Sequence, residues 1–279
     1  MTGSPHMIEL RDVSHAYRTK AGPLPVLDGL SMQVPENSFC AVVGPSGCGK
    51  STLTRLVSGL MRPDKGQVWL HSKLVTSPRP TVGMAFQNPV LLEWRTILQN
   101  ILLPLEIVKS PMSKAEALDR AHHLLDLVGL TGFAEKRPSE LSGGMRQRAS
   151  LCRSIIHKPD VLILDEPFGA LDAFTREDLW CTMHDLRREE PFTCLLITHD
   201  LRESVFLADQ VVVMSGRPAR SQYVLNVDLP GPRTLDDLYS PKAVAMLATL
   251  RHQIQVAQGR ATDADAPLDG HAKPTEVTA

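Results

Sequence analysis

Phe39-Cys40-Ala41-Val42-Val43-Gly44-Pro45-Ser46-Gly47-Cys48-Gly49-Lys50-Ser51-Thr52 is the stretch on which the fold turns. Five apolar residues in a row read as a strand buried on both faces. Gly44 ends the run, and Gly44–Ser51 satisfies G-x-x-x-x-G-K-[ST] in full. The glycines let the backbone curl so that successive N–H groups aim at one anion. A helix then follows over Lys50–Met61, with Leu53, Leu56, Val57 and Leu60 on one face and Pro63 as its stop. Its N-terminus adds a partial positive charge of about half a unit. Strand, curl and helix together make a cradle for a phosphate group. Lys50 is placed to reach the β- and γ-phosphates, and the Ser51 hydroxyl is placed to ligate Mg²⁺.

Outward from this stretch the pattern stays α/β. Met7–Tyr17 and Val26–Val34 read as strands flanking a loop rich in Pro and Gly. Thr96–Ile156 is mostly helical in spacing. Ser113-Lys114-Ala115-Glu116 is a capping box, and Leu118, Ala121, Leu124, Leu125 and Val128 follow at helical intervals until Gly129. Strand signals return at Val161–Asp165, Cys194–Thr198 and Val211–Met214, with a helix over Phe174–Glu189. Strands alternating with helices predict a mainly parallel sheet, and the helical middle reads as an insertion. Tyr223–Leu229 is strand-like and polar, and Pro241–Gln258 is helix-like. Asp165 sits at the carboxyl end of a buried strand, where parallel sheets place ligands, and Glu166 follows it. Asp165 is a candidate for holding Mg²⁺, and Glu166 for polarising a water towards the γ-phosphate.

Composition narrows the classes. The 279 residues are long enough for one large domain or two small ones, and 43% are hydrophobic. Lys and Arg number 30 against 31 Asp and Glu, for a formal charge of −1, which argues against holding DNA by bulk charge. Ile101–Val108 is short and broken by Pro104 and Glu106, so it does not read as a membrane span. No secretory signal pattern is visible. Five cysteines without a C-x-x-C pair read as reduced thiols. Cys48 lies within the phosphate loop, either as a small residue that fits or as a thiol whose oxidation would block nucleotide entry.

Leu141-Ser142-Gly143-Gly144-Met145-Arg146-Gln147-Arg148 adds a serine cap and two glycines opening another helix, a second cluster of anion-seeking amides. With this stretch the chain resembles the ATP-binding-cassette (ABC) ATPases from Ile8 to Ser215, with Met145 where that family commonly has Gln. The resemblance implies an α/β fold: a P-loop NTPase core with a mainly parallel sheet, an N-terminal antiparallel β part and an inserted helical subdomain. It divides the chain into a leader or tag remnant at 1–6, the ATPase domain at 7–216 with its helical subdomain at about 91–154, a C-terminal extension at 217–258, and a tail at 259–279 expected to be disordered.

The resemblance also implies roles. Glu166, His199, Lys50 and Gln87 match the catalytic positions. Tyr17 matches the aromatic that stacks on adenine, and Gly44, Pro45, Ser46, Gly47, Cys48, Gly49, Lys50, Ser51 and Thr52 match the nucleotide-binding loop. Ser142, Gly143, Gly144 and Asp172 of Ala170-Leu171-Asp172 match elements that complete the site across a dimer. Ser51, Gln87 and Asp165 match the Mg²⁺ positions. The implied assembly is a homodimer that sandwiches ATP and Mg²⁺, sits on the cytoplasmic face of the inner membrane, and works with a permease and an extracytoplasmic solute-binding protein. No nucleic-acid partner is implied. Phe86–Trp94 resembles the nitrate/sulfonate/taurine-type importers, with Glu93 in place of an expected proline. Leu91, Leu92 and Trp94 are candidate contacts for the permease, or else packing within the helical subdomain. A genome-maintenance ATPase, an exporter motor and a small-molecule kinase are the competing classes. The first lacks its coiled coil or second cassette here, and Ser142–Gly144 with Glu166 argue against the last.

Overall fold

The computed structural model describes residues 6–108, 111–169 and 171–261. Most of the expected leader, most of the expected tail, and Ala170 lie outside them. The chain forms two compact units: residues 6–78 with 193–261, and residues 79–192. Each is described in turn as the chain passes through it.

Alternation builds the first hairpin. β1 (His6–Thr19) pairs antiparallel with β2 (Gly22–Pro35), so the expected Pro/Gly loop is itself strand, with Tyr17 opposite Leu24. Ile8, Leu10, Val13, Leu30 and Val34 bury one face. β3 (Phe39–Val43) is buried at all five positions. The first helix, α1, covers only Lys50–Val57. It stops short of Met61 because Gly59 takes φ +77, a left-handed turn that ends the helical ladder before Pro63 is reached. Leu60 therefore leaves the helical face and is exposed. β4 (Lys65–Leu70) pairs antiparallel with β1, and β5 (Lys73–Leu74) with β4.

The second unit begins with β6 (Val82–Ala85), which runs parallel to a later strand. α2 (Ile97–Val108) continues through Pro104, and α3 (Lys114–Leu127) starts on Ser113, whose capping box with Glu116 is fully formed. α4 (Gly143–Ile155) packs against α2, α3 and β6. β7 (Val161–Asp165) is the parallel partner of β6, with Ala85 opposite Leu164. α5 (Ala173–Glu189) closes the unit.

The chain then returns to the first unit. β8 (Thr193–Ile197) and β9 (Gln210–Met214) flank β3, both parallel to it. α6 (Leu201–Leu207) lies between them in sequence and packs on β3. β10 (Ser221–Asn226) pairs antiparallel with β9. α7 (Pro241–Ala257), capped by Ser240, packs on α6 and β9. Among the described residues no helix is long and apolar enough to cross a membrane.

Candidate active site

In the first unit the phosphate loop leaves β3 and enters α1 without a side-chain cap. The N-cap is Gly49 at φ +122, a residue with no side chain to cap the first-turn amides. A residue with a Cβ would be strained there, and its Cβ would lie 2.7 Å from Val26 Cγ1. Gly47 takes φ +72 on the exposed shoulder of the loop, beside Ser46. The Lys50 ammonium is turned back into the loop, donating to the Gly44 carbonyl at 2.9 Å and the Pro45 carbonyl at 3.0 Å. Only 8% of Lys50 is exposed. A positive group is thus stored under the amides on which a phosphate would rest. Burial pushes the Cys48 thiol above its ordinary range, which disfavours the reactive thiolate.

Tyr17 stands on β1 with its hydroxyl 3.1 Å from Thr52 Oγ1, one turn into α1. Its ring meets His15 edge-on, 5.1 Å between centroids. Ser51 is exposed at the head of α1. His199 follows β8, whose Ile197 lies opposite Val42 of β3, so His199 projects from the same sheet end as the loop. The turn that carries it is rigid: Asp200 N–H donates to Thr198 Oγ1 at 2.9 Å, and the Asp200 carboxylate caps α6.

The second unit assembles a different group. Gln87 follows β6 and Glu166 follows β7, two parallel neighbours, so both leave the carboxyl ends of their strands together. Gln87 Nε2 donates to Glu166 Oε2 at 3.1 Å. Glu166 takes φ +48, a backbone rarely adopted by residues other than glycine, asparagine and aspartate. Asp165 is half-buried at the last position of β7. Within this unit Asp165 and the Gln87 amide oxygen are hard oxygen donors, the chemistry that suits Mg²⁺. With its nitrogen committed to Glu166, Gln87 offers the oxygen.

Ser142 is the N-cap of α4 and its hydroxyl accepts from the Met145 amide at 3.2 Å. Ser142 and Gly143 are exposed. Asp172 caps α5 through the Thr175 amide at 3.0 Å, and that backbone hydrogen bond holds its carboxyl below the usual range. Two side chains to which no motif assigns a role tie this group together. Gln147 donates to the Phe86 carbonyl at 3.2 Å, and Arg153 donates to the Val90 carbonyl, so α4 anchors the segment that carries Gln87. Asn100, fully buried, binds Leu92 N–H at 2.7 Å and accepts it through Oδ1, while its Nδ2 donates to the Leu92, Arg95 and Thr96 carbonyls. That bracket buries Leu91 and leaves Trp94 72% exposed. Of the three apolar candidates, Leu91 is therefore packing, and Trp94 is the one presented outward.

The family described as ABC transporter matches residues 27–169. The bicarbonate transport ATP-binding protein CmpD of Synechocystis sp. is 41% identical over 230 residues, 82% of each chain. The chain belongs to the ABC transporter ATPase family. The nitrate import ATP-binding protein NrtD of Synechococcus elongatus is 40% identical over 238 residues, 85% of this ABC ATPase and 87% of that protein. Among solved structures, the dimeric post-hydrolysis state of the ATP-binding cassette MJ0796 bound to ADP and Pi superposes with a TM-score of 0.73 at 26% identity, over 80% of this chain and all of that one. The activity of this ABC ATPase is ATP hydrolysis that powers transport.

Proposed function

We propose that this chain binds Mg²⁺-ATP between two copies of itself and drives uptake of a small oxyanion through a separate permease, from the cytoplasmic face of the inner membrane. The observation that carries this reading is the uncapped start of α1 with Lys50 held inside the loop. In this reading the Gly44–Thr52 amides and Lys50 bind the phosphates and Tyr17 receives the adenine. Ser51, Asp165 and Gln87 would hold Mg²⁺, which when bound would supply charge neutralisation at the transferring phosphoryl group. Glu166, oriented by Gln87, takes the proton of the attacking water, and His199 contacts the γ-phosphate. Ser142, Gly143 and Gly144 of the second copy cover the nucleotide, with Asp172 beside them. ATP binds the closed pair better than the open one and so shifts the population towards closure; loss of the γ-phosphate reverses it.

The substrate class follows from the relatives named for bicarbonate and nitrate. An extracytoplasmic solute-binding protein completes the assembly in this reading. The test is ATP turnover of the assembled complex in vesicles holding the binding protein, screened with nitrate, bicarbonate, sulfonates and neutral nutrients. Stimulation by an oxyanion is expected. Stimulation confined to neutral solutes would overturn the substrate class, and turnover without any membrane partner effect would overturn the coupling.

A further inference from the structure

Arg217 lies outside the phosphate-loop motif and beyond the residues matched by the family. It sits two residues past Ser215, in the link from β9 to β10. That link is stiff. Ser215 N–H donates to the Arg220 carbonyl at 3.0 Å, Arg220 N–H returns to Ser215 Oγ at 2.9 Å, and Ser215 Oγ donates to the Gly216 carbonyl at 3.0 Å. Its far side is stapled to β2: Ala219 N–H donates to the Val26 carbonyl at 2.8 Å, Asp28 N–H to the Ala219 carbonyl at 3.1 Å, and Arg220 pairs with Asp28. From this platform Arg217 reaches across a cleft of about 260 Å³ bounded by Pro45, Ser46, Gly47, Cys48 and Gly216. Its Nε donates to the Gly47 carbonyl at 3.1 Å and its Nη2 donates to the same oxygen.

A carbonyl facing a phosphate repels it, and an amide facing a phosphate attracts it. Lys50 holds the Gly44 and Pro45 carbonyls, and Arg217 holds the Gly47 carbonyl at the left-handed residue where the loop reverses. The platform also has an outside contact. Gly216 N–H donates to the carbonyl of Ala257, the last residue of α7, at 3.1 Å, and a Cβ on residue 216 would sit 3.0 Å from that oxygen.

We propose that Arg217 is a positioning residue of the phosphate loop, and that α7 sets its position through the Gly216–Ala257 contact, so that the C-terminal extension tunes nucleotide affinity. The proposal rests on the nucleotide-site reading above, and Lys50→Ala separates the two. Calorimetric titration of the full chain with ATP and with ADP is the measurement, joined to steady-state turnover. Arg217→Met is expected to weaken both nucleotides about three- to tenfold, a charged hydrogen bond discounted for exposure. The loss should fall on KM rather than kcat. Arg217→Lys should recover part of it, since one ammonium donor replaces a two-pronged fork. Gly216→Val should reproduce the loss and add nothing to Arg217→Met, because both act on one contact chain. Wild-type affinity in Arg217→Met, with Lys50→Ala impaired, would overturn the proposal and leave the cradle intact. Loss of ATP but not ADP affinity would also overturn it, by showing a γ-phosphate contact instead of a shaped loop. Additive effects of Gly216→Val would overturn the link to α7. An unimpaired Lys50→Ala would overturn the cradle itself and this proposal with it.

Discussion

The loop ahead of α1 and the loop ahead of α4 both open a helix on glycines, yet the chain's own fold requires them only in the first. Gly49 takes φ +122 and has Val26 pressed against the place a Cβ would occupy. Gly143 has ordinary helical backbone, and a Cβ there would meet nothing within 4 Å. A Cβ on Gly144 would lie 2.9 Å from Leu171 Cδ2, a clash that the flexible end of that side chain can relieve by shifting. The caps differ as well. α1 starts on Gly49, which has no side chain to cap it, while the Ser142 hydroxyl accepts from the Met145 amide of α4. The first loop is thus shaped from within, as a receptor around a stored ammonium. The second is a capped, exposed helix start with bare glycines, which in the function proposed above cover the nucleotide held by the other copy.

The sharpest way to sharpen that contrast is to stop chemistry while keeping both loops. Glu166→Gln is expected to lower turnover by about 10²- to 10⁴-fold, the range for a lost general base, while ATP still binds and a dimer accumulates on a sizing column. Turnover at the wild-type rate would remove Glu166 from the mechanism. Next in size is a complementation test. Lys50→Ala and Ser142→Arg should each lose about a hundredfold in turnover, and an equimolar mixture should regain activity, because one mixed dimer holds one intact pair of loops. If mixing restores nothing, the two loops do not meet across chains. The smallest effect is in folding. Gly49→Ala should cost about 1–3 kcal/mol in urea unfolding. Gly143→Ala should cost none, and Ser142→Ala about 1 kcal/mol for the lost cap. Equal costs at Gly49 and Gly143 would erase the difference between the loops.

How much could be read in advance depended on whether the cause was local. β3, the loop and α1 were legible because apolar run, glycines and lysine are contiguous. The Ser113 capping box was legible for the same reason. β4 was not, since it buries only Val68 and Leu70 and starts on Lys65-Gly66-Gln67. β6 has four residues, and its Gly83 reads as a breaker. It is there because the Ser154 carbonyl comes within 2.1 Å of where a Cβ would be. The end of α1 was misplaced because Pro63 is a louder stop than Gly59. At the site, motif residues announce themselves by spacing. Arg153 and Arg217 reach backbone carbonyls far away in sequence, and such contacts leave no period and no pattern.

The left-handed backbone at Glu166 has a consequence for how the sequence can drift. At φ +48 a glycine or asparagine would sit more comfortably than a glutamate, by an amount on the order of 1 kcal/mol. Selection for heat resistance alone would therefore push this position away from the carboxylate, and the proposed role of Glu166 in turnover is what would hold it there. With Glu166 in its proposed role, position 166 is a point where a sturdier chain and a working motor are different sequences.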